Sequence, residues 1–444
     1  MAHGSKDSSV PLPPLPAEPV QRITGPLQRF LHIQAASGLV LLCFTVLALF
    51  LANSEWADPF LSLWKTKVGF RFGDYEFMHS LKHWINDGLM TVFFFVIGLE
   101  VKREMAVGEL RELRQASLPI AAALGGMAAP AGLYLALQSG QPGERGWGIP
   151  MATDIAFVVG CLALLGNRVP HGLRILLLSL AIVDDIGAIL VIAIGYSGAL
   201  NHAALAWGGA GIFAVLAMQR LGVRSVGVYT FVGIGIWFAF HESGIHATIA
   251  GVILGVLTPV RSWISPGLWS DMAGRAMDYL KGEDGSDPQR QQVLERVEAA
   301  SREARPPLVR LELMLHPWVS FAIMPLFAFA NAGVPVHLGA FGEPVAVAVM
   351  VGLGVGKPLG VVLACFLAVK LGLARLPERV TWSAIVAGGF LAGIGFTMAL
   401  FIAGLALDES LIDTAKVGIL GASAICAVIG LVLLLRCLPK PRSA

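Results

Sequence analysis

Apolar residues run along this chain in blocks of about twenty, separated by short polar stretches, from residue 32 almost to the C-terminus. The hydrocarbon layer of a bilayer is about 30 Å thick and takes roughly 20 helical residues to cross, so each block reads as a membrane-spanning helix. Twelve spans fit, near 32–53, 80–101, 116–138, 150–165, 173–197, 202–219, 225–240, 243–258, 317–337, 344–370, 381–407 and 414–435. An even number of crossings puts both termini on one side. The Pro-rich, polar segment 1–31 has no apolar core of a signal peptide and reads as a disordered cytoplasmic tail, with 436–444 as a second one. Between them, 32–435 reads as one twelve-span domain of an all-α integral membrane protein.

Orientation follows from the basic residues, which concentrate on the cytoplasmic side of membrane proteins. With the N-terminus inside, 25 of the 32 Lys and Arg residues face the cytoplasm and six face outward, while Lys357 lies within span ten. Leaving out the long inner loop still gives 17 against six. Two extramembrane segments stand out. Outside, 54–79 contains an alternating run from Val68 to Tyr75, broken at Gly73-Asp74, which predicts a small hairpin and a candidate surface for self-association. Inside, 261–310 carries eight basic and eight acidic residues and predicts a solvated loop with a short amphipathic helix around Gln289–Ala304.

Composition narrows the function. Hydrophobic residues make up 56% of the chain and charged residues 14%, with a mean hydropathy of +0.72, which excludes an ordinary soluble globule. A net charge of +2 with no basic block argues against nucleic acid as a partner. The five cysteines form no CxxC pair and sit in or beside apolar stretches, so neither a disulfide framework nor a zinc site is suggested. The 51 glycines fit close helix packing in lipid.

Ionisable side chains are costly in hydrocarbon, and those found there usually mark an ion or proton path. Here they are Asp87 in span two, Asp154 in span four, Asp184 and Asp185 in span five, His246 in span eight and Lys357 in span ten. A lone intramembrane carboxylate can be a satisfied interhelical hydrogen bond, but several carboxylates with one lysine form a site. Successive helix residues point about 100° apart, so Asp184 and Asp185 must do different things. One can face a neighbouring carboxylate such as Asp154 and offer oxygen ligands to a hard cation, while the other turns to Lys357. Span four carries Pro150 and the pair Thr153-Asp154 within its apolar run, and span eleven carries Gly388, Gly389, Gly393 and Gly395. Both read as candidate broken helices, although glycine packing without a break explains span eleven equally well. Interrupted spans in corresponding positions of two repeats point to an ion site at the membrane midplane. Spans three to five and ten to twelve would be such repeats, inserted in opposite orientations.

These residues resemble the NhaA family of bacterial sodium/proton antiporters, from about Ala35 to Leu435. The motifs are Trp84-Ile-Asn-Asp87-Gly-Leu-Met, Gly98-Leu-Glu100-Val-Lys-Arg-Glu104, Ala152-Thr-Asp154-Ile-Ala-Phe, Leu180-Ala-Ile-Val-Asp-Asp185, Ser243-Gly-Ile-His246-Ala-Thr-Ile-Ala-Gly251, His316-Pro-Trp, Phe327-Ala-Phe-Ala-Asn-Ala-Gly333, Gly356-Lys-Pro-Leu-Gly360 and Ala392-Gly-Ile-Gly-Phe-Thr397. The rule on interrupted spans was drawn in part from this family, so its agreement is not independent support. The resemblance implies inverted-topology repeats, discontinuous crossed helices at spans four and eleven, and electrogenic, pH-dependent exchange of Na⁺ or Li⁺ for more than one H⁺. It implies Asp185 as the principal carboxylate, with Asp154 and Thr153 beside it as ligands of the transported Na⁺. Asp184 would pair with Lys357, which would also balance charge between the broken helices at Gly393 and Gly395. Glu100, Arg103, Glu104, Glu312 and His316 would form a cytoplasmic pH-response region, and His246 would tune the pH profile. The hairpin at 68–75 would make a homodimer in the bacterial inner membrane. No cofactor is implied.

Two departures concern pH. Leu313 stands where the family often has a histidine, and the loop at 261–310 is longer than the family leads one to expect. Other readings fit less well. An intramembrane aspartyl protease would need a Gly-x-Gly-Asp motif, whereas Asp154 and Asp185 follow Thr153 and Asp184. A cation channel would use an acidic ring from an oligomer. A carrier of the same architecture moving another solute would need a pocket rich in polar and aromatic groups.

Overall fold

The computed structural model describes residues 34–73, 75–198, 200–281 and 287–438. The tail at 1–31 lies outside the described residues, as do Asp74 of the hairpin turn and all of the C-terminal tail beyond Leu438. In chain order the principal elements are α1 (Gln34–Ala52), α2 (Ala57–Lys65), strands β1 (Lys67–Phe72) and β2 (Tyr75–Ser80), α3 (Met90–Val107), α4 (Leu113–Gln138), α5 (Ile155–Leu165), α6 (His171–Gly195), α7 (His202–Arg220), α8 (Val226–Ser243), α9 (Thr248–Leu257), α10 (Pro266–Lys281), α11 (Asp287–Ala304), α12 (Pro307–Trp318), α13 (Met324–Asn331), α14 (Pro344–Val351), α15 (Lys357–Lys370), α16 (Trp382–Ala392), α17 (Phe396–Ala406) and α18 (Glu409–Cys437).

Among the described residues, eight helical segments are long and apolar enough to cross a membrane, or up to ten if each of two bent pairs is one span. The chain is therefore an all-α multi-pass membrane protein with one hairpin. Its outer faces carry what lipid requires: Trp207, Phe213 and Phe231 are 76%, 73% and 80% exposed, positions that water would not tolerate together. The hairpin pairs Lys67 with Ser80 and Phe72 with Tyr75, so it runs further than the 68–75 alternation indicated. The loop expected at 54–79 also contains α2, which turns back 113° from α1 and buries Phe60 and Trp64. Asp58 in its first turn and Lys65 in its last match the helix dipole.

In the inner loop the expected helix is present as α11, and α10 precedes it. With Leu268 and Met277 exposed, α10 has no buried stripe to announce it. The span expected at 243–258 is shorter, because Gly244 ends α8 with φ of 82°, a left-handed cap, and the helix resumes only at Thr248.

Backbone-to-backbone contact fixes two helix pairs. A methyl group at Gly255 would fall 2.4 Å from the Phe95 carbonyl oxygen, and one at Gly251 would fall 2.3 Å from that of Thr91, so α9 lies directly on α3. Likewise a methyl at Gly125 would meet the Gly360 carbonyl oxygen at 2.4 Å, and one at Gly360 would meet that of Gly125 at 2.1 Å, joining α4 to α15. Widened π-type turns at Val319–Ile323 and Gly352–Gly356 come just before Pro325 and Pro358. A proline ring clashes with the carbonyl four residues back in a regular helix, and a widened turn relieves that clash.

Candidate functional site

Span four is broken. A 3₁₀ segment, Glu144–Met151, leads into extended residues Ala152, Thr153 and Asp154 before α5 begins. The tyrosines Tyr134 and Tyr196 hold the 3₁₀ segment in place. The Tyr134 hydroxyl donates to the Gly143 carbonyl at 2.7 Å, and the Tyr196 hydroxyl donates to that of Arg145 at 2.9 Å while accepting from the Gly148 amide at 3.1 Å. Span eleven breaks as well, between α16 and α17, which meet at 45°.

A break leaves backbone groups without helical partners, and inside a protein these must be satisfied. The two breaks satisfy one another. The Asp154 amide donates to the Ile394 carbonyl at 2.7 Å, and the Thr153 hydroxyl donates to that of Ala392 at 2.8 Å. Asp154 caps α5 by accepting from the Phe157 amide at 3.1 Å. Its other oxygen accepts the Thr397 amide at 3.0 Å together with the Thr397 hydroxyl. Glycine is needed at the second break for approach rather than for unusual dihedrals, since Gly393 and Gly395 have φ of −69° and −86°. A methyl at Gly393 would sit 2.6 Å from the Leu353 carbonyl oxygen, and one at Gly395 would sit 2.9 Å from the Leu353 side chain.

Facing the breaks, α6 presents Asp184 and Asp185, and α15 presents Lys357. Thr153, Asp154, Asp184, Asp185, Lys357 and Thr397 are each at most 1% exposed. The Lys357 ammonium donates to Asp184 Oδ2 at 2.5 Å and also to the Met151 carbonyl, so it bridges α6 and the end of the 3₁₀ segment. Gly126 leaves room for the stem of this lysine, whose Cε lies 3.6 Å from where a Cβ would be. Asp185 points elsewhere. Asp184, Glu100, Asp154 and Lys357 all act on it electrostatically. Asp184 Oδ1 and Asp185 Oδ1 are buried with no hydrogen-bond partner among the described residues. Three carboxylates thus share a dry site with one ammonium, and two carboxylate oxygens have unused lone pairs. Such oxygens suit a small hard cation or a proton.

The other expected residues divide. Arg103 pairs with Glu312 on α12 and lies 3.8 Å from Glu104, and Glu100 sits in the same charged field. His316 is exposed instead, its Nδ1 3.4 Å from the Ser320 hydroxyl, and is not part of this cluster. His246 bonds Thr248 at 2.8 Å, lies 4.0 Å from Asp87 Oδ1 and packs its ring edge-on to Phe401. Thr397 was not expected among the binding residues. The only hint in the sequence is its place at the end of the glycine-interrupted segment, since its partner Asp154 is 243 residues away.

Comparison with known proteins agrees with this geometry. Residues 28–434 match the family described as Na⁺/H⁺ antiporter 1. The Na(+)/H(+) antiporter NhaA of Rhodopirellula baltica is 55% identical over 429 residues, covering 96% of this chain and 98% of the relative. The Na(+)/H(+) antiporter NhaA of Rhizobium meliloti is 55% identical over 417 residues, covering 94% and 95%. A third relative, Na(+)/H(+) antiporter NhaA 2 of Acidiphilium cryptum, is 51% identical over 421 residues, covering 95% and 94%. With the match extending over nearly the whole chain, and the intramembrane carboxylates and lysine gathered at the two helix breaks, this protein is a member of the Na⁺/H⁺ antiporter 1 family.

Proposed function

We propose that the protein is a secondary transporter, not an enzyme, that expels Na⁺ or Li⁺ from the cell in exchange for H⁺, with both ions competing for Asp185 and its neighbours. The observation that carries this reading is the pair of unpartnered carboxylate oxygens, on Asp184 and Asp185, beside a buried ammonium and two mutually bonded helix breaks. In this reading Asp185 and Asp154 are the main ligands of the transported Na⁺, with Thr153 beside them. Asp184 holds Lys357, and Lys357 balances charge where the two broken helices cross.

Alternating access follows from one shared site: the carrier reorients when either ion is bound, so neither leaks alone. If two protonatable groups discharge for each Na⁺, positive charge moves inward with the protons. The membrane potential, worth about 2.3 kcal/mol per charge per 100 mV, then helps drive sodium out.

The remaining expectations belong to the same proposal. The chain spans the bacterial inner membrane twelve times, with α8, α9 and the α16–α17 pair counted as spans and both termini in the cytoplasm. The body at 32–435 contains the inverted repeats, with the hairpin loop at 54–79 outside and the loop at 261–310 inside. Glu100, Arg103, Glu104, Glu312 and His316 set the response to cytoplasmic pH, and His246 tunes it. A homodimer forms through the 68–75 hairpin. Membrane lipid and the transported ions are the other partners, with no cofactor and no nucleic acid.

The deciding experiment is dye-reported proton movement in sealed proteoliposomes with an imposed pH gradient. Na⁺ and Li⁺ should collapse the gradient, K⁺ should not, and Asp185→Asn should be silent. Correctly folded protein that moves no protons with any cation between about pH 6 and 9 would overturn the proposal.

A further inference from the structure

Away from the buried carboxylates, three imidazoles meet where the hairpin joins the helices. His79 comes from β2, His83 from the turn Leu81–His83 and His241 from the last turn of α8. One ligand atom from each lies within 4.8 Å of the other two. His79 and His83 stack at 4.2 Å between centroids, and His241 stands across both at 5.3 and 5.4 Å. Aromatic rings wall the group. Phe77 packs on His79 at 4.5 Å, and Trp237 stacks on His241 at 5.6 Å.

Beneath lies the Asp87 carboxylate, 3.8 Å from both His83 Nε2 and His241 Nδ1. The His83 Nε2 atom is buried with no hydrogen-bond partner among the described residues. Glu242 and His246 are the other titratable groups near the cluster.

We infer that His79, His83 and His241 form a site for a divalent transition-metal ion of the zinc class, with Asp87 as the carboxylate that orients the imidazoles. Imidazole nitrogen is the ligand such ions prefer, whereas Mg²⁺ and Ca²⁺ prefer oxygen. A Zn–N bond is about 2.0–2.1 Å, which sets tetrahedral ligand atoms roughly 3.4 Å apart. The three nitrogens reach that spacing by drawing together about 1 Å, within the play of side chains at a hairpin's end. Three adjacent imidazoles repel when protonated and are held together when neutral around a cation. Burial, and next to it the neighbouring His241, favour the neutral form of His79, the form that ligates. A carboxylate behind a ligating histidine is the usual second partner of such an ion.

The bound ion ties together the hairpin, the start of the helix containing Asp87, and α8. It stands apart from the exchange chemistry, because none of the three histidines belongs to the cluster around Asp185.

The test uses tag-free full-length protein in detergent, since a polyhistidine tag binds the same ions. Zn²⁺ binding is measured by calorimetry near pH 7.5, and Co²⁺ by its visible absorption, each in the presence of excess Mg²⁺. One ion per chain is expected, removable by chelator, with at least a hundredfold weaker binding in the H83Q/H241Q double variant. A control, H171Q/H202Q, should bind like the parent. Binding should also weaken steeply below about pH 6, where imidazoles hold protons. Equal affinity in parent and double variant, no stoichiometric binding, or Co²⁺ spectra lacking nitrogen ligation would each overturn the assignment. If the double variant elutes or melts abnormally in chelator, His79→Gln on the hairpin gives the same comparison, and unchanged affinity there likewise refutes the site.

Discussion

Lys357 and Asp184 are both fully buried, and their pairing dictates how each should respond to substitution. Removing one member of a buried ion pair leaves the other charge uncompensated and typically costs about 3–5 kcal/mol. Lys357→Met should therefore lower the unfolding midpoint in detergent far more than the Asp184→Asn/Lys357→Met double variant, which removes both charges. A midpoint for the double variant no higher than for Lys357→Met would show that the pair is not the source of the loss. Thr397 makes a second case, because its hydroxyl and amide both donate to Asp154. Thr397→Val deletes a hydrogen bond to a charged group, worth about 1.5–3 kcal/mol. It should weaken apparent Na⁺ affinity by roughly tenfold or more, while Thr397→Ser restores it. A Val variant with parental affinity would remove Thr397 from the site. The sequence already singled out the carboxylates and the lysine, because charge in an apolar run is conspicuous. It did not say which aspartate takes which partner, since a 100° step fixes their relative directions and not where either one points. The imidazole trio was hidden for a related reason: His241 meets His79 and His83 only in the folded chain.

Among elements, the long apolar blocks were legible and the short amphipathic ones were not. Broken span four was visible through Pro150 and Thr153-Asp154, whose polar groups have no other use in the middle of a span. The α2 helix was missed within a loop, and its burial of Phe60 and Trp64 has no sequence period long enough to register. Span eleven was ambiguous from its glycines alone, and the structure gives them a role in approach, where a methyl at Gly393 would collide with the Leu353 carbonyl. Overpacking of this kind costs typically 1–3 kcal/mol even where the backbone can shift. Gly393→Ala should thus reduce both thermal stability and exchange, whereas Gly404→Ala, in the same bent pair but with open space at its Cβ, should leave both near parental values. Equal effects of the two substitutions would contradict the close-approach argument.

For the whole molecule, competition between protons and Na⁺ for the same carboxylates fixes the sign of the pH response. Protons occupy the ligand oxygens in acid and exclude the cation, so the Na⁺ concentration for half-maximal exchange should rise as pH falls. With one proton displaced per site in the acid limb, the rise approaches tenfold per pH unit, and saturating Na⁺ should recover much of the rate. A half-maximal concentration that is flat from about pH 6.5 to 8.5 would mean the two ions do not share a site. The paired seams of α3 with α9 and α4 with α15 bear on this cycle in a further way. At Gly255 and Gly360 the contact is main chain on main chain, with no rotatable side chain between the helices. Such a joint has no gearing: it cannot slip by changing rotamers, and it opens only by parting altogether. Each pair must therefore travel as one strut, and the moving joints of the machine have to lie where side chains mesh or where the helices are already cut, at the two breaks that hold the ion.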